Sequence, residues 1–304
     1  MIVVFGSLNL DLIYHLPRLP EAGETLLTSS VRIEPGGKGA NQALAATRDR
    51  ARVVMVGAVG RDVLSGASLA RLREAAVDLS RVRDVSDDVT GCAAIFVDAQ
   101  GRNAIGVGSG ANRRARADQI EDALLGPDTT LLMQMETEPE EVAALIRRGR
   151  ARGTRIILNL APARAIAEDA LRAVDLLVVN ETEAAWLGHH LGTGTDAASL
   201  RAALRVDVVR TRGGEGAEVA TAVGFQRIAE HPIEPVDTTA AGDCFVGVLA
   251  AGLDRGLALT PSLYRATVAA AICCTRSGTQ SSLPLADEID AAAGTYDASR
   301  RTPG

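Results

Sequence analysis

The sequence predicts an α/β fold, with a three-layer α/β/α core built on a mostly parallel sheet and with a small β-sheet lid. Short runs of Val, Ile and Leu alternate along the 304 residues with longer helical patterns. These apolar runs are nearly continuous, which is typical of parallel strands covered by helices on both faces. Two stretches, 10–35 and 91–107, break the alternation and carry turn residues, and they predict the lid.

The alternation predicts five strands, each followed by a helix. The strands are expected at 2–5, 53–59, 130–135, 155–160 and 176–179. The helices are expected at 39–48, 62–77, 138–152, 164–173 and 181–188. The final stretch, 283–304, is polar and is expected to be a frayed tail.

The lid is predicted from two stretches that lack the apolar residues for a core of their own. The first carries prolines between β-rich pieces, and the second is typical of a hairpin that turns at 98–101. We expect a small antiparallel sheet with one face toward a ligand, although a surface excursion would explain the same pattern. The core would then comprise 1–9, 36–90 and 108–304.

Composition limits the classes of partner. The chain has 32 basic and 38 acidic residues, a formal net charge of -6 and no run of Lys or Arg. This argues against sequence-independent binding of nucleic acid, which needs a basic stripe along the phosphates. No apolar run approaches the ~20 residues that span a bilayer, and the first residues lack a positively charged n-region. We therefore expect a cytoplasmic protein that binds small molecules and no membrane.

The four cysteines and four histidines do not predict a metal centre. The cysteines lie in apolar or small-residue runs without a CxxC pair, and the histidines lack HxxxH or HExxH spacing. Reduced thiols in the core are the expectation.

A first glycine-rich segment, 35–41, leads directly into the first predicted helix. Its glycines permit positive φ and close backbone approach, and the helix start offers free amide donors. The spacing is not that of a P-loop, so Lys38 cannot be assigned to nucleotide phosphates by that pattern. A purely structural turn would also explain the segment.

A second small-residue segment, 237–243, precedes the apolar helix CFVGVLAAGL. Amides at 240–242 can converge on an anion there, and the helix dipole favours negative charge. If a phosphoryl group docks on these amides, Asp243 lies where a carboxylate can accept a proton from an attacking hydroxyl. Taken alone, Asp243 is better explained as an N-terminal helix cap.

Polar side chains follow several of the predicted strands. Asn180 and Glu183 come directly after one of them, where carboxylate oxygens suit a hydrated Mg²⁺. The same two residues also fit a helix capping box. Asn9, Asp11 and Glu136 also come just after predicted strands. We therefore expect a polar site at the carboxyl ends of the strands.

The order of these motifs resembles the PfkB-type carbohydrate kinase family, and in particular its ribokinase-like members, over nearly the whole chain. The motifs that carry the resemblance are GSLNLD (6–11), GGKGAN (36–41), VTGCAAIFV (89–97), LLMQME (131–136), LNLAPAR (158–164), NETE (180–183), TRGGEGA (211–217), DTTAAGDCF (237–245) and TRSG (275–278).

The resemblance implies a role for each matching residue. Asp243 would be the catalytic base, and Ala240, Ala241 and Gly242 would form the anion hole for the phosphoryl group. The positions that would bind sugar hydroxyls are Asn9, Asp11, Gly37, Lys38, Gly39, Asn41 and Glu136, together with Asp243.

The resemblance also implies sites for ATP and for two kinds of cation. Glu183 would organise Mg²⁺, directly or through water. The nucleotide would contact Asn180, Thr211, Arg212, Gly213, Gly214, Glu215, Gly216, Gly242 and Thr267. A K⁺ activator would be held, mostly through backbone carbonyls, by the loop residues Asp237, Thr239, Cys273, Arg276, Gly278 and Ser282.

The function implied is an ATP-dependent sugar kinase that converts D-ribose into D-ribose 5-phosphate, with a homodimer formed through the lid. A related kinase for deoxyribose, another pentose, fructose or a nucleoside is the main alternative. A non-catalytic sugar or nucleotide sensor is a further alternative, although a pure binder needs no base at the phosphoryl site. A nicotinamide oxidoreductase is disfavoured because GSLN, and not GxGxxG, follows the first strand.

Overall fold

The computed structural model describes residues 1–28, 30–100 and 102–294. Within those ranges the strands are β1 Ile2–Phe5, β2 Asn9–His15, β3 Val31–Gly36, β4 Val53–Gly60, β5 Asp78–Val85, β6 Gly91–Val97, β7 Asn103–Gly108, β8 Thr130–Met133, β9 Arg155–Asn159, β10 Leu176–Val179, β11 Asp207–Thr211, β12 Ala217–Thr221 and β13 Gly224–Ile228. The helices are α1 Lys38–Arg48, α2 Val63–Ser68, α3 Ala70–Glu74, α4 Pro139–Ala151, α5 Glu168–Leu171, α6 Glu181–Leu191, α7 Ala197–Leu204, α8 Ala241–Asp254, α9 Leu259–Cys274 and α10 Ala286–Ala293.

The large sheet confirms the predicted α/β class. Its order in the described part of the chain is β13-β12-β11-β10-β9-β8-β1-β4-β5. The strands from β11 to β5 run parallel, and β12 and β13 are antiparallel additions at one edge. Ile2 and Val4 of β1 belong to one buried cluster, whereas Val3 and Phe5 belong to the other. Successive side chains therefore pack against the helix layers on opposite faces of the sheet, as the continuous apolar runs predict.

The small sheet has the order β3-β2-β6-β7, and the predicted hairpin at 91–107 is confirmed by the antiparallel pairing of β6 with β7. Gly101, at the predicted turn, lies outside the described residues. The expectation of a wholly antiparallel sheet is wrong, because β2 pairs with β6 in parallel. The reason is topological. Along the chain β2 follows β1 and β6 follows β5, and the two core strands β1 and β5 run in the same direction.

Three predicted elements differ in the structure. The helix expected at 62–77 is divided at Leu69 into α2 and α3. Of the helix expected at 164–173 only α5 forms, and the Arg164 guanidinium before it donates to the carbonyls of Met135 and Thr137 at 3.0 and 2.8 Å. The expected tail contains α10, whose Ile289 is fully buried.

Two of the four cysteines lie in the core, as the sequence predicts, whereas Cys92 and Cys274 are only partly buried. All four are unpaired, and Cys244 and Cys273 are buried. None of the helices in the described residues is both long enough and apolar enough to cross a bilayer.

Close contact between α1 and α8 positions the site described below. A Cβ at Gly247 of α8 would lie 2.5 Å from the Gln42 carbonyl oxygen and 2.7 Å from the Ala45 Cβ. Only a glycine lets the two helices approach this closely, because real Cβ contacts do not fall below 3.0 Å. The N-terminal turns of both helices consequently face the same space.

Replacing this glycine tests the constraint. We expect Gly247→Ala to lower the free energy of unfolding by about 1–3 kcal/mol, because the added methyl group forces α1 and α8 apart. Gly66→Ala is the matched control, since Gly66 is exposed within α2 and nothing lies within 4 Å of its built Cβ. Urea denaturation should show no loss in the free energy of unfolding for the control. Equal stabilities of the two variants would contradict the packing argument.

Candidate active site

The candidate site lies where the carboxyl ends of the central strands meet the starts of α1 and α8. The loop 6–9 after β1 packs directly on the start of α1. A Cβ at Gly39 would lie 2.5 Å from the Ser7 backbone nitrogen, and one at Gly37 would lie 2.9 Å from the Asn9 nitrogen. Gly37 also has φ 91°, which suits glycine. The structural-turn explanation of the segment 35–41 is thus correct, and the turn also brings polar groups together.

Glu136 joins the segment after β8 to this turn. Its Oε2 accepts hydrogen bonds from the Ser7 hydroxyl at 2.5 Å and from the Lys38 amide at 3.1 Å. The Ser7 Oγ in turn accepts from the Gly39 amide at 3.2 Å. Ser7 is a site residue that the sequence reasoning missed, although it stands inside the GSLNLD motif.

Asn9 is held in one orientation by Asn112. The Asn112 Nδ2 donates to the Asn9 Oδ1 at 2.7 Å, and the Asn112 Oδ1 accepts from the Leu8 amide at 2.8 Å. Both asparagines are almost fully buried. The Asn9 side chain consequently has its acceptor occupied and its Nδ2 left as a donor. Asn112 was also missed by the sequence reasoning.

Asp11 is a buried carboxyl group with a perturbed pKa. Burial is the largest cause that raises the pKa of Asp11 to about 7. The negative charges of Glu136, Asp243 and Glu34 raise it further, and Lys38 opposes them. The side chain packs on Gly36, where a Cβ would lie 2.0 Å from the Asp11 Oδ2. Asp11 therefore changes charge near neutral pH.

Asp243 lies in the first turn of α8 and is fixed by two side chains of α1. The Asn41 Nδ2 donates to its Oδ2 and the Gln42 Nε2 to its Oδ1, both at 2.9 Å. The Asn41 Oδ1 is buried without a hydrogen-bond partner in the described structure, which leaves an acceptor for a ligand hydroxyl. The carboxylate of Asp243 is thus oriented by α1. The interpretation of Asp243 as a helix cap is wrong, because Ala240 stands at the cap position and no side chain caps α8.

Gln42 belongs to a buried amide network that the sequence did not reveal. Its Nε2 also lies 3.0 Å from the Asn159 Oδ1, and its Oε1 accepts from the Gln134 Nε2 at 2.6 Å. Gln42 and Gln134 are fully buried. The network links α1, α8 and the ends of β8 and β9, so that Asp243 cannot rotate freely. The available signal in the sequence was the position of the two glutamines, Gln134 within LLMQME and Gln42 directly after GGKGAN.

The start of α8 has an unusual backbone. Ala240 precedes the helix with φ 61° and ψ 2°, a left-handed conformation that costs a non-glycine residue energy. Gly242 is exposed, and the first-turn amides of a helix lack intrahelical acceptors. Ala241 and Gly242 thus offer a place for an anion beside Asp243, although the Ala241 amide also lies 3.3 Å from the Thr238 carbonyl.

Lys38 is the single lysine of the chain and is surrounded by carboxylates. Burial alone would lower its pKa, but the negative charges of Asp243, Glu136, Glu183 and Asp11 raise the pKa above its ordinary value. The ammonium group is therefore charged at neutral pH and offsets part of the acidic field.

Asn180 and Glu183 form the capping box of α6 that their spacing allows. The Asn180 Oδ1 accepts from the Glu183 amide and the Glu183 Oε2 from the Asn180 amide, both at 2.8 Å. Burial raises the pKa of Glu183, and the hydrogen bond from Asn180 opposes this rise. The cap uses Oε2, so Oε1 is still available to a ligand.

A cavity of about 540 Å³ lies beside α8. Of the predicted nucleotide contacts, those on its wall are Asn180, Thr211, Gly213, Gly214, Gly216, Gly242 and Thr267. Arg212 and Glu215 are not on that wall, and their side chains pair with each other. Glu230 and His231 do line the cavity, and the sequence reasoning missed both.

Asp237 joins two segments of the predicted cation loop. Its Oδ1 accepts from the Thr239 amide at 2.9 Å and its Oδ2 from the Gly278 amide at 3.0 Å. Burial would raise the pKa of Asp237, but these hydrogen bonds lower it. The Cys273 Sγ lies 3.0 Å from the Ser282 Oγ, whereas Arg276 pairs with Glu288. Across the residues described, no cluster of three or more His, Cys, Asp or Glu side chains could hold a metal ion by itself.

Comparison with known proteins agrees with the predicted fold. The pfkB family carbohydrate kinase model matches residues 1–286. Ribokinase from Bacillus subtilis (strain 168) is 34% identical over 291 residues, covering 95% of this chain and 98% of the relative. Deoxyribokinase from Salmonella typhi is 32% identical over 300 residues, covering 95% and 97%. The structure of Arabidopsis thaliana ribokinase complexed with ribose and ATP has a TM-score of 0.85 at 25% identity, covering 97% and 99%.

The fold and these relatives identify a phosphotransferase with an alcohol group as acceptor. The chain belongs to the pfkB family of carbohydrate kinases.

Proposed function

We propose that this protein is a ribokinase, which transfers the γ-phosphoryl group of ATP to O5 of D-ribose and yields D-ribose 5-phosphate and ADP. The observation that carries the proposal is the Asp243 carboxylate, fixed by Asn41 and Gln42 between the polar site near Asn9 and the cavity beside α8. A ribokinase relative at 34% identity supports the choice of sugar.

The sugar would lie among groups whose unused hydrogen-bonding capacity matches hydroxyls. The Asn9 Nδ2 is a donor, whereas the Asn41 Oδ1 is an acceptor without a partner in the described structure. Asp11 and Glu136 add carboxylate acceptors, and the backbone of Gly37, Lys38 and Gly39 forms the floor. A mixed set of donors and acceptors suits several neighbouring hydroxyls.

In the proposed reaction Asp243 accepts the proton of the attacking hydroxyl while the new O–P bond forms and the bond to ADP breaks. The amides at 240–242 and the helix dipole would stabilise negative charge on the transferred group. Lys38 adds a positive charge nearby. Phosphoryl transfer depends mainly on positioning and electrostatics, which is why a fixed carboxylate carries the proposal.

The cavity beside α8 would hold ATP, and two cations would assist. A bound Mg²⁺ supplies positive charge to the phosphate oxygens, and Asn180 with the free Oε1 of Glu183 fits it directly or through water. A K⁺ ion would be held by the loop of Asp237, Thr239, Cys273, Arg276, Gly278 and Ser282, and the ionised Asp237 fits a cation there. That ion would organise the amides at 240–242 without touching the substrate.

We also propose a homodimer that forms through the lid, comprising 10–35 and 91–107, and a cytoplasmic location. Apolar side chains on the small sheet are unusually exposed, namely Val31, Ile33, Ile105 and Val107 at 47, 59, 55 and 48%. Exposed apolar clusters of this kind are typical of interfaces. The unpaired cysteines fit a reducing compartment.

A sugar panel tests the function. ADP release should be measured with D-ribose, 2-deoxy-D-ribose, D-fructose and a nucleoside, each in K⁺ and in Na⁺. We expect the highest kcat/KM for D-ribose and faster turnover in K⁺. Deoxyribose is the second candidate because of the deoxyribokinase relative at 32% identity, and a higher kcat/KM for it would replace ribose. Binding of sugar without any ADP release would contradict the proposed kinase activity.

Asp11 predicts a pH dependence of sugar binding. With the pKa of Asp11 raised to about 7, the carboxyl group is neutral below that pH and ionised above it. A sugar hydroxyl donates more strongly to the ionised form, so the KM for ribose should fall as the pH rises through 7. Asp11→Asn should remove this change while leaving the protein folded. A pH profile of KM that is identical in the variant and the wild type would exclude Asp11 as the cause.

A further inference from the structure

The lid strand β3 places two charged residues on the face that carries Asp11. Glu34 stands directly opposite Asp11 in the antiparallel pairing of β2 with β3, and Arg32 stands opposite Ile13. Side chains that are directly opposite share one face of a sheet and have Cβ atoms about 4.5–5.5 Å apart. Glu34 is thus an immediate neighbour of a predicted sugar-binding carboxylate, and its charge helps to raise the pKa of Asp11.

Glu34 reaches from the lid to a loop of the core. Its Oε2 accepts from the Thr279 amide at 2.9 Å and from the Ser281 hydroxyl at 3.0 Å. The Thr279 hydroxyl lies 3.3 Å from the same oxygen and 2.8 Å from the Pro35 carbonyl. Arg32 adds a hydrogen bond to the Ser277 hydroxyl at 2.8 Å. The strand and the loop 277–281 are therefore joined by several polar contacts.

The same loop is joined to the start of α8. The Gly278 amide and the Thr239 amide donate to the two oxygens of Asp237, at 3.0 and 2.9 Å. Thr239 directly precedes Ala240, whose left-handed backbone sets the direction of the following amides. Gly278 has φ 112°, and a Cβ there would lie 2.7 Å from the Glu34 Oε2. The chain of contacts is continuous from Asp11 to the amides at 240–242.

We propose that Glu34 is a positioning residue, which couples the sugar-contacting strand β2 to the amides that receive the phosphoryl group. The inference rests on the proposed function. Sugar bound against β2 fixes β3, and Glu34 then holds the loop 277–281 and, through Asp237, the start of α8. Loss of Glu34 should weaken the effect of one substrate on the binding of the other, and should lower kcat more than it changes the KM for sugar.

The variants are Glu34→Ala, which removes the acceptor, and Glu34→Gln, which keeps an acceptor oxygen. Glu24→Ala is the control, because Glu24 pairs with Arg18 inside the lid. Calorimetry should give the affinity for D-ribose with and without a non-hydrolysable ATP analogue. The ratio of these two affinities is the coupling, and typical couplings are about 5- to 150-fold. We expect the coupling to fall to about onefold in Glu34→Ala, to survive largely in Glu34→Gln and to be unchanged in Glu24→Ala.

The kcat and the pH dependence of the KM for ribose are two further, independent measurements. A displaced anion hole should lower the kcat of Glu34→Ala by up to about 100-fold. In Glu34→Gln, removal of a charge should move the pH midpoint of the KM for ribose below that of the wild type. Ser281→Ala removes one of the hydrogen bonds to Glu34 from the loop side and should lower the coupling in part, even if Glu34→Ala fails to fold.

The outcomes separate the two claims. Wild-type coupling in Glu34→Ala or Ser281→Ala, in proteins with unchanged unfolding curves, would overturn the role of Glu34 while leaving the kinase activity intact. A wild-type protein that releases no ADP with any sugar would instead overturn the proposed function.

Discussion

The hydrogen bonds that Asn41 and Gln42 donate to Asp243 are the interaction on which the proposed site depends. They form because Gly247 lets α8 approach α1, and because Gly37 and Gly39 let α1 begin against the loop 6–9. The amide network through Gln42 then fixes the carboxylate relative to the sheet. Backbone proximity, and not local charge, therefore determines where the proposed base lies.

An acidic protein can hold a polyphosphate if the positive field is local. With a formal net charge of -6, the chain offers no basic surface. At the start of α8 the field would come from first-turn amides, from the helix dipole and from Lys38. The pKa of Lys38 is raised by the carboxylates around it, so the single lysine stays charged within the most acidic part of the molecule. The other 31 basic residues are arginines, many of which form surface ion pairs.

Patterns in the sequence predicted the parallel core, the hairpin at 91–107 and the polar groups at strand ends, because these features depend on local periodicity and on turn residues. The direction of β2 relative to β6, the burial of α10 and the contacts of Gln42 and Asn112 were not predictable in this way. Each depends on residues that are far apart in the chain, such as Gln42 and Asp243, which are 201 positions apart. The Asn180 and Glu183 pair shows the converse limit, since its spacing fits a cap and a cation site equally, and the cap is present.

Asp243→Asn tests the central claim most directly. The substitution keeps the shape of the side chain, and the Asn41 amide can rotate so that its Oδ1 accepts from the introduced amide group. The rotation turns the Asn41 Nδ2 toward the sugar, where a hydroxyl can accept from it. The account predicts that ADP formation with D-ribose falls by about 10²- to 10⁴-fold, because the proton acceptor is lost. Calorimetry should show ribose affinity within a few-fold of the wild type, and the unfolding curve should be unchanged. Near-normal turnover in this folded variant would contradict the assignment of Asp243 as the base.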